Sequence, residues 1–310
     1  MKLDISNFKF LANADFRVLT SIEMGMKNHH LVQFDLIQKI SKLSPSATTK
    51  SLKTVHKYKL VVHEAKKCDG YRLTFLGYDF LAINALTKRK SVEKIGSQIG
   101  VGKESDVFKV TNERNEIMVL KLHRLGRISF RTIKDNRDYL GKRSNANWLY
   151  CSRLAATKEY EYLKVLHEKD FPVPRPIDCS RHCVLMDYFE GIPLNNLKTI
   201  YDADIYYKAL NGVLFRMRDF GYIHCDFNEF NVLVSPKMIE KGLKEEKRIE
   251  LLKEMGEKSY NNNLFEELGL LVIDFPQMVS SSHENADDLF GRDETCIKTF
   301  FMKRFGLEIN

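Results

Sequence analysis

The sequence predicts an α+β protein in which a small helical module precedes a larger domain of two lobes, the first strand-rich and the second helical. Three observations predict this. The first 90 residues combine helical stretches with a β-hairpin pattern, and carry 16 Lys and Arg against 7 Asp and Glu, a larger positive excess than the whole chain's +8. Residues from about 91 to 187 are rich in short apolar strands and contain one long helical stretch. Beyond them, Ile223–Asn231 sets an Asp and an Asn five positions apart, and an apolar run later ends in Asp274. A chain of 310 residues has room for two or three units and can bury a substantial core.

In the first unit, helical stretches are expected at about 12–27, 31–42 and 46–57. The strand Tyr58–His63 follows, a turn at Cys68-Asp69-Gly70 leads into Tyr71–Thr74, and Phe75–Leu86 reads as a fourth helix. Three helices plus a hairpin make a winged helix-turn-helix over 1–90. Lys50, Lys53 and Lys57 lie three or four apart on the third helix and so share a face. Such a face can contact nucleic-acid phosphates; it is equally what the solvated side of a protein-docking module looks like. Basicity of this kind suits a polyanion, and aromatic stacking platforms for single strands are not evident.

The second unit opens on Ile99-Gly100-Val101-Gly102-Lys103-Glu104-Ser105-Asp106, with apolar residues on both sides. Two glycines at this spacing let backbone amides approach phosphate oxygens, although an ordinary hairpin turn reads the same. A Walker A loop is excluded, since Ser97 and Glu104 stand where it needs Gly and Ser or Thr. Ile117–His123 is an apolar strand with one cation, Lys121. A strand lysine after such a loop can reach nucleotide phosphates, with a helix carboxylate holding it; an exposed edge-strand lysine is the plainer reading. In the helix 154–166, Ala155, Tyr162, Leu163 and Leu166 share a face with Glu159 at its middle, whereas Glu161 points elsewhere. A carboxylate on an apolar face requires a charge partner, and Lys121 fits.

The third unit carries the H-x-D-x-x-x-x-N spacing of a phosphoryl-transfer loop: Asp226 can orient a nucleophile and Asn231 can ligate a metal. Leu270–Ile273 is a buried-strand pattern that leads to Asp274, a second metal-ligand position. Pro276 stiffens the segment behind it. Between Asn231 and Asp274 lies more chain than a strand pair needs, so the highly charged stretch 237–268 is expected to be an insert with little apolar surface to bury. Only 36 residues follow Asp274, without the Ala-Pro-Glu and helices on which protein kinases dock peptides.

On these residues the chain resembles the RIO family of atypical protein kinases, in its winged-helix-bearing second subfamily. The segments that carry the resemblance are Gly100–Asp106, Lys121, Leu125–Arg131, Trp148–Tyr150, Glu159, His224–Asn231, Asp274–Gln277 and Cys296–Gly306. The resemblance implies a compact bilobal kinase-like domain without the peptide-docking subdomains, its small lobe over 91–187 and its large lobe over 188–310. It implies ATP and Mg2+ as ligands. Gly100, Gly102, Lys103, Ser105, Lys121 and Glu159 would serve the phosphates, with Met186 and the backbone of Asp187 and Phe189 at the adenine. Asn231 and Asp274 would hold the metal, and Asp226 and Asp274 would be catalytic, Asp274 also as the site of an aspartyl-phosphate. A plain connector explains Val184–Gly191 nearly as well as an adenine-binding hinge. The basic stretch from 127 to 147, with Arg131, Lys134, Arg137, Lys142 and Arg143, corresponds to the family's flexible loop.

Further implications of the resemblance are serine/threonine kinase or ATPase activity and a role in late cytoplasmic maturation of the small (40S) ribosomal subunit. The partners would be the pre-40S particle and its rRNA. The protein is expected to be cytoplasmic, with shuttling through the nucleus open, monomeric and free of membrane. No secretory signal is evident, and the apolar runs are too short to span a bilayer. The six cysteines show no paired zinc spacing and read as reduced thiols. A small-molecule phosphotransferase and a non-catalytic ATP-binding assembly factor remain as alternatives.

Overall fold

A computed structural model describes residues 3–65, 68–125, 148–237 and 263–309. The flexible-loop stretch 127–147, with its five named basic residues, lies outside the described residues, as does most of the charged stretch 237–268.

The N-terminal module comprises α1 (Asn13–Gly25), α2 (Phe34–Ser41), α3 (Pro45–Lys57), a hairpin of β1 (Val61–Glu64) and β2 (Gly70–Leu73), and α4 (Phe75–Lys88). Local chemistry sets its ends. Ser44 caps α3 by accepting from the Ala47 amide at 3.3 Å, with Pro45 in the first turn, and Thr74 caps α4 by accepting from the Gly77 amide at 3.0 Å. Two expected boundaries are corrected. The second helix begins at Phe34 rather than 31 because Val32 is bridged to Tyr71 beside the hairpin. The first strand begins at Val61 rather than Tyr58, because Lys59 takes a left-handed conformation as α3 ends. Gly77 permits the close crossing of α4 over Leu60: a Cβ there would stand 2.0 Å from the Leu60 carbonyl oxygen.

Next come β3 (Lys94–Val101), β4 (Ser105–Thr111), β5 (Ile117–His123), α5 (Trp148–Glu168), β6 (Pro176–Ser180) and β7 (Cys183–Asp187). The strands form one antiparallel sheet ordered β3-β4-β5-β7-β6, so Lys121 sits in the central strand. Alternation along a strand sends neighbouring side chains to opposite faces. Phe108, Val110, Met118, Leu120, Leu122, Cys183 and Leu185 share a core with Ala82 and Leu86 of α4. Lys121 is paired across the strands with Val107 and Val184, on the other face, toward α5. The N-terminal module and the small lobe thus share a hydrophobic core.

A buried ionic network joins them as well. Asp79 of α4 accepts from Arg124 Nη2 at 2.9 Å and from His182 Nε2 at 2.8 Å, while Arg124 Nε donates to Asp106 Oδ2 at 3.0 Å. All four side chains are buried. Burial alone would raise the Asp79 carboxyl, but the Arg124 guanidinium and the His182 hydrogen bond together outweigh it and hold the group below its ordinary value.

The large lobe contains β8 (Ile192–Pro193), α6 (Ala203–Asp219), β9 (Tyr222–Ile223), β10 (Val232–Val234), α7 (Asn263–Leu268), β11 (Leu270–Val272), β12 (Val279–Ser280) and α8 (Ala286–Phe305). Residues 263–268, expected to belong to the insert, are instead part of the packed lobe: Phe265 and Leu268 are buried in its core because α7 leads directly into β11. After Asp274 the described residues hold only β12 and α8 as regular elements. No helix among the described residues is long and apolar enough to cross a membrane.

Replacing Asp79 with Asn is expected to leave the Arg124 charge poorly compensated and to destabilise the protein by about 3 kcal/mol. Urea denaturation followed by circular dichroism measures this; an unchanged midpoint would show that the network does not hold the two units together.

Candidate active site

Strand register brings the polar residues together. β10 and β11 pair with Val232 opposite Val272, so the residues flanking them meet at one end of the ladder. The Ile273 amide donates to the Asn231 carbonyl at 2.9 Å, and this places Asp274 beside the loop His224–Asn231. From the small lobe, Lys121 Nζ reaches Glu159 Oε1 and Asp274 Oδ1, each at 2.6 Å. Five of the residues singled out in the sequence therefore converge: Lys121, Glu159, Asp226, Asn231 and Asp274.

Glu159 is 1% exposed, in the middle of the buried stripe of α5 with Ala155 and Leu163. It is fully used. Oε1 takes Lys121 and, at 3.3 Å, the Phe275 amide; Oε2 lies 2.7 Å from His123 Nε2. Burial by itself would raise this carboxyl, but Lys121 and His123 outweigh that and hold it below the ordinary range. Lys121 responds in the opposite sense: burial disfavours the ammonium, yet Asp274 and Glu159 raise it well above its ordinary value. Glu159 thus faces fixed partners, whereas Asp274 is half-exposed and can exchange one of its own.

Both the loop and the segment that carries Asp274 are held under backbone strain. Cys225 and Asp274 have φ of 67° and 75°, the left-handed region that side chains other than glycine avoid. Asp293 on α8 clamps the first. Its carboxylate accepts from the Cys225 amide at 2.7 Å and the Phe227 amide at 3.1 Å, while Arg292 donates to the Cys225 carbonyl. Burial pushes the Asp293 carboxyl up to about 6. His224 is buried between Phe227 and Phe275, and burial lowers its imidazole to about 4, so it is neutral at neutral pH.

Asp226 is oriented by amides. Asn228 Nδ2 donates to Oδ1 at 2.9 Å, and Asn231 Nδ2 and Gln277 Nε2 each donate to Oδ2 at 3.3 Å. Asn231 and Asp274 offer hard oxygen donors at one end of the β10–β11 ladder. That suits Mg2+, which takes one or two protein oxygens and fills its shell with water and phosphate.

The glycine-containing turn joins β3 to β4. Gly102 donates to the Ser105 carbonyl at 2.8 Å, Lys103 is exposed, and Ser105 is half-buried opposite His123. Met186 is buried in β7 opposite Val119, on the Lys121 face of the sheet. The Asp187 amide donates to the Arg175 carbonyl at 3.0 Å. Gly191 lets Phe189 pack against it, since a Cβ would meet its ring at 2.6 Å. Lys50, Lys53 and Lys57 are exposed together on α3, on the N-terminal module rather than at this site.

Several contributors had no role assigned from sequence: His123, Arg124, Asn228, Gln277, Arg292 and Asp293. Asp293 was within reach of the reasoning that found Glu159. It interrupts the buried stripe Ala286, Phe290, Ile297, Phe301 of α8.

Two lobes, with a lysine–carboxylate pair in the first and an Asp–Asn loop beside a ligand aspartate in the second, define a protein-kinase-like domain. The family described as RIO domain matches residues 106–240 and 257–310, and the family described as Rio2, N-terminal matches residues 8–89. The chain belongs to the RIO family, in its Rio2 branch. It is 48% identical over 305 residues to the serine/threonine-protein kinase rio2 of Dictyostelium discoideum, covering 98% of this chain and 53% of that protein. It is 43% identical over 306 residues to the rio2 kinase of Schizosaccharomyces pombe, covering 98% of this chain and 80% of that one. The chain therefore spans about half the length of the first relative. Among solved structures it resembles the Rio2 kinase–ADP/Mg2+–phosphoaspartate complex from Chaetomium thermophilum, with 42% identity and a TM-score of 0.81, covering 100% of this chain and 86% of that one.

Proposed function

We propose that this protein is an ATP-dependent phosphoryl-transfer enzyme, a protein serine/threonine kinase or ATPase that works through an aspartyl-phosphate at Asp274. The observation that carries the reading is the Lys121 ammonium at 2.6 Å from both Glu159 and Asp274, with Asp274 in turn beside the Asp226–Asn231 loop. The Chaetomium relative, crystallised with ADP, Mg2+ and phosphoaspartate, supports it.

Each residue then has a task. Gly100, Gly102, Lys103 and Ser105 shape the turn over the phosphates. Lys121, kept in place by Glu159, neutralises phosphate charge. Met186 lines the base pocket, with the Asp187 carbonyl and Phe189 amide at its edge. Asn231 and Asp274 would hold Mg2+, which when bound would offset the negative charge that develops on the phosphates. Asp226 orients a hydroxyl or a water. A carboxylate oxygen of Asp274 bonds to the γ-phosphorus as the bond to ADP breaks.

The partner is proposed to be the pre-40S ribosomal particle and its rRNA, during late cytoplasmic maturation, with ATP turnover switching the protein on or off the particle. The resemblance and the basic N-terminal module support this; the exposed row Lys50, Lys53 and Lys57 is its candidate phosphate-contacting face.

Purified protein incubated with Mg2+ and ATP is expected to yield an acid-stable, hydroxylamine-labile phosphoprotein that is absent in Asp274→Asn. Asp226→Ala is expected to lower ATP turnover by about 10²-fold or more; unchanged turnover in that variant would remove Asp226 from the mechanism. Binding to rRNA or to the particle is expected to weaken steeply with rising salt, with a shallower slope in a variant carrying Ala at 50, 53 and 57. Salt-insensitive binding would indicate a protein-docking winged helix instead.

A further inference from the structure

Gln277 lies three residues beyond Asp274 and has no task in the scheme above, yet it touches the catalytic loop. Pro276, buried, fixes the backbone between them. Phe275 and Met278, each 0% exposed, anchor the segment on both sides. The Gln277 side chain is thereby turned back to the site, where Nε2 donates to Asp226 Oδ2 at 3.3 Å. Asn228 and Asn231 also donate to this carboxylate, at 2.9 and 3.3 Å, but they belong to the same loop as Asp226. Gln277 comes from the segment that carries Asp274.

A carboxamide has two ends. With Nε2 on Asp226, the carbonyl Oε1 of Gln277 is an acceptor next to the same carboxylate. A water that gives one hydrogen to Asp226 and the other to Oε1 is fixed with its lone pair outward. Glutamine carboxamides orient attacking water in other phosphoryl-transfer sites.

We propose that Gln277 is a positioning residue which, with Asp226, holds the water that hydrolyses phosphorylated Asp274. The proposal rests on the aspartyl-phosphate reading. In this step the water oxygen bonds to phosphorus, and the bond from phosphorus to the Asp274 oxygen breaks with its electron pair returning to the carboxylate. The water proton passes to Asp226 and then to solvent, and inorganic phosphate leaves. Gln277 exchanges no proton; it aligns the water and the base.

The test separates formation of the phosphoenzyme from its decay. Purified wild type, Gln277→Ala and Gln277→Glu are labelled with Mg2+ and γ-labelled ATP, chased with unlabelled ATP, and the acid-stable, hydroxylamine-labile label is followed with time. In Gln277→Ala, decay is expected to slow by roughly ten- to a hundredfold while formation slows far less. The label therefore accumulates to a higher level. In Gln277→Glu, decay is expected to be slow at neutral pH and to recover as the pH is lowered and the new carboxyl regains a proton. Decay at the wild-type rate in Gln277→Ala would overturn the proposal, and so would formation slowed as much as decay, which marks a merely structural residue. Absence of the label in wild type would instead sink the aspartyl-phosphate reading, and this proposal with it.

Discussion

The structure depends on one buried cation. Lys121 projects from the central strand of the small-lobe sheet and meets two carboxylates at 2.6 Å, Glu159 from α5 and Asp274 from the large lobe. Taking an ammonium and a carboxylate out of water is costly, and only close geometry with further hydrogen bonds offsets it. Glu159 meets that condition through His123 and the Phe275 amide. The second of these ties α5 to the segment that carries Asp274. The charge cluster therefore does two jobs: it sets how the lobes face each other, and it places a cation where phosphate charge would arrive.

The two carboxylates are not equivalent. Glu159 is sealed in the α5 stripe, with both oxygens used. Asp274 is half-exposed on a strained residue, beside Asn231. That asymmetry fits the proposed nucleotide site: a permanent partner that keeps the lysine charged, and an exchangeable one that would turn to a metal or accept a phosphoryl group. Strain at Cys225 is held locally, by Asp293 and Arg292. The Asp79–Arg124–Asp106 network extends this rigidity outward, from the residue after the glycine turn to the last helix of the winged module.

Much of this was legible in the chain. Glu159 could be paired with Lys121 because a lone carboxylate on an apolar helical face needs a cation, and Lys121 is the one cation of the apolar strand that follows the glycine turn. Asp226, Asn231 and Asp274 followed from fixed spacing within short segments. The winged-helix elements followed from periodicity and turn residues, with boundaries shifted where long-range contacts intervened: the Val32–Tyr71 bridge shortens α2 at its start, and the packing of Phe265 and Leu268 reclaims α7 from the charged stretch. What stayed hidden was partner choice across sequence distance. Arg124 follows an apolar strand with nothing local to reveal that its carboxylates are Asp79 and Asp106. Gln277 carries no periodic signal. Asp293 did carry one, the same as Glu159, but its partners are backbone amides, which no side-chain pattern announces.

The direct test of the central claim is a crystal structure of this protein with Mg2+ and a non-hydrolysable ATP analogue. The account predicts that Lys121 Nζ keeps its contact with Glu159 at about 3 Å, leaves Asp274 for a phosphate oxygen, and that Asp274 and Asn231 share the metal. A nucleotide bound with the Lys121–Asp274 pair still closed, or with its phosphates in a separate cavity, would contradict it.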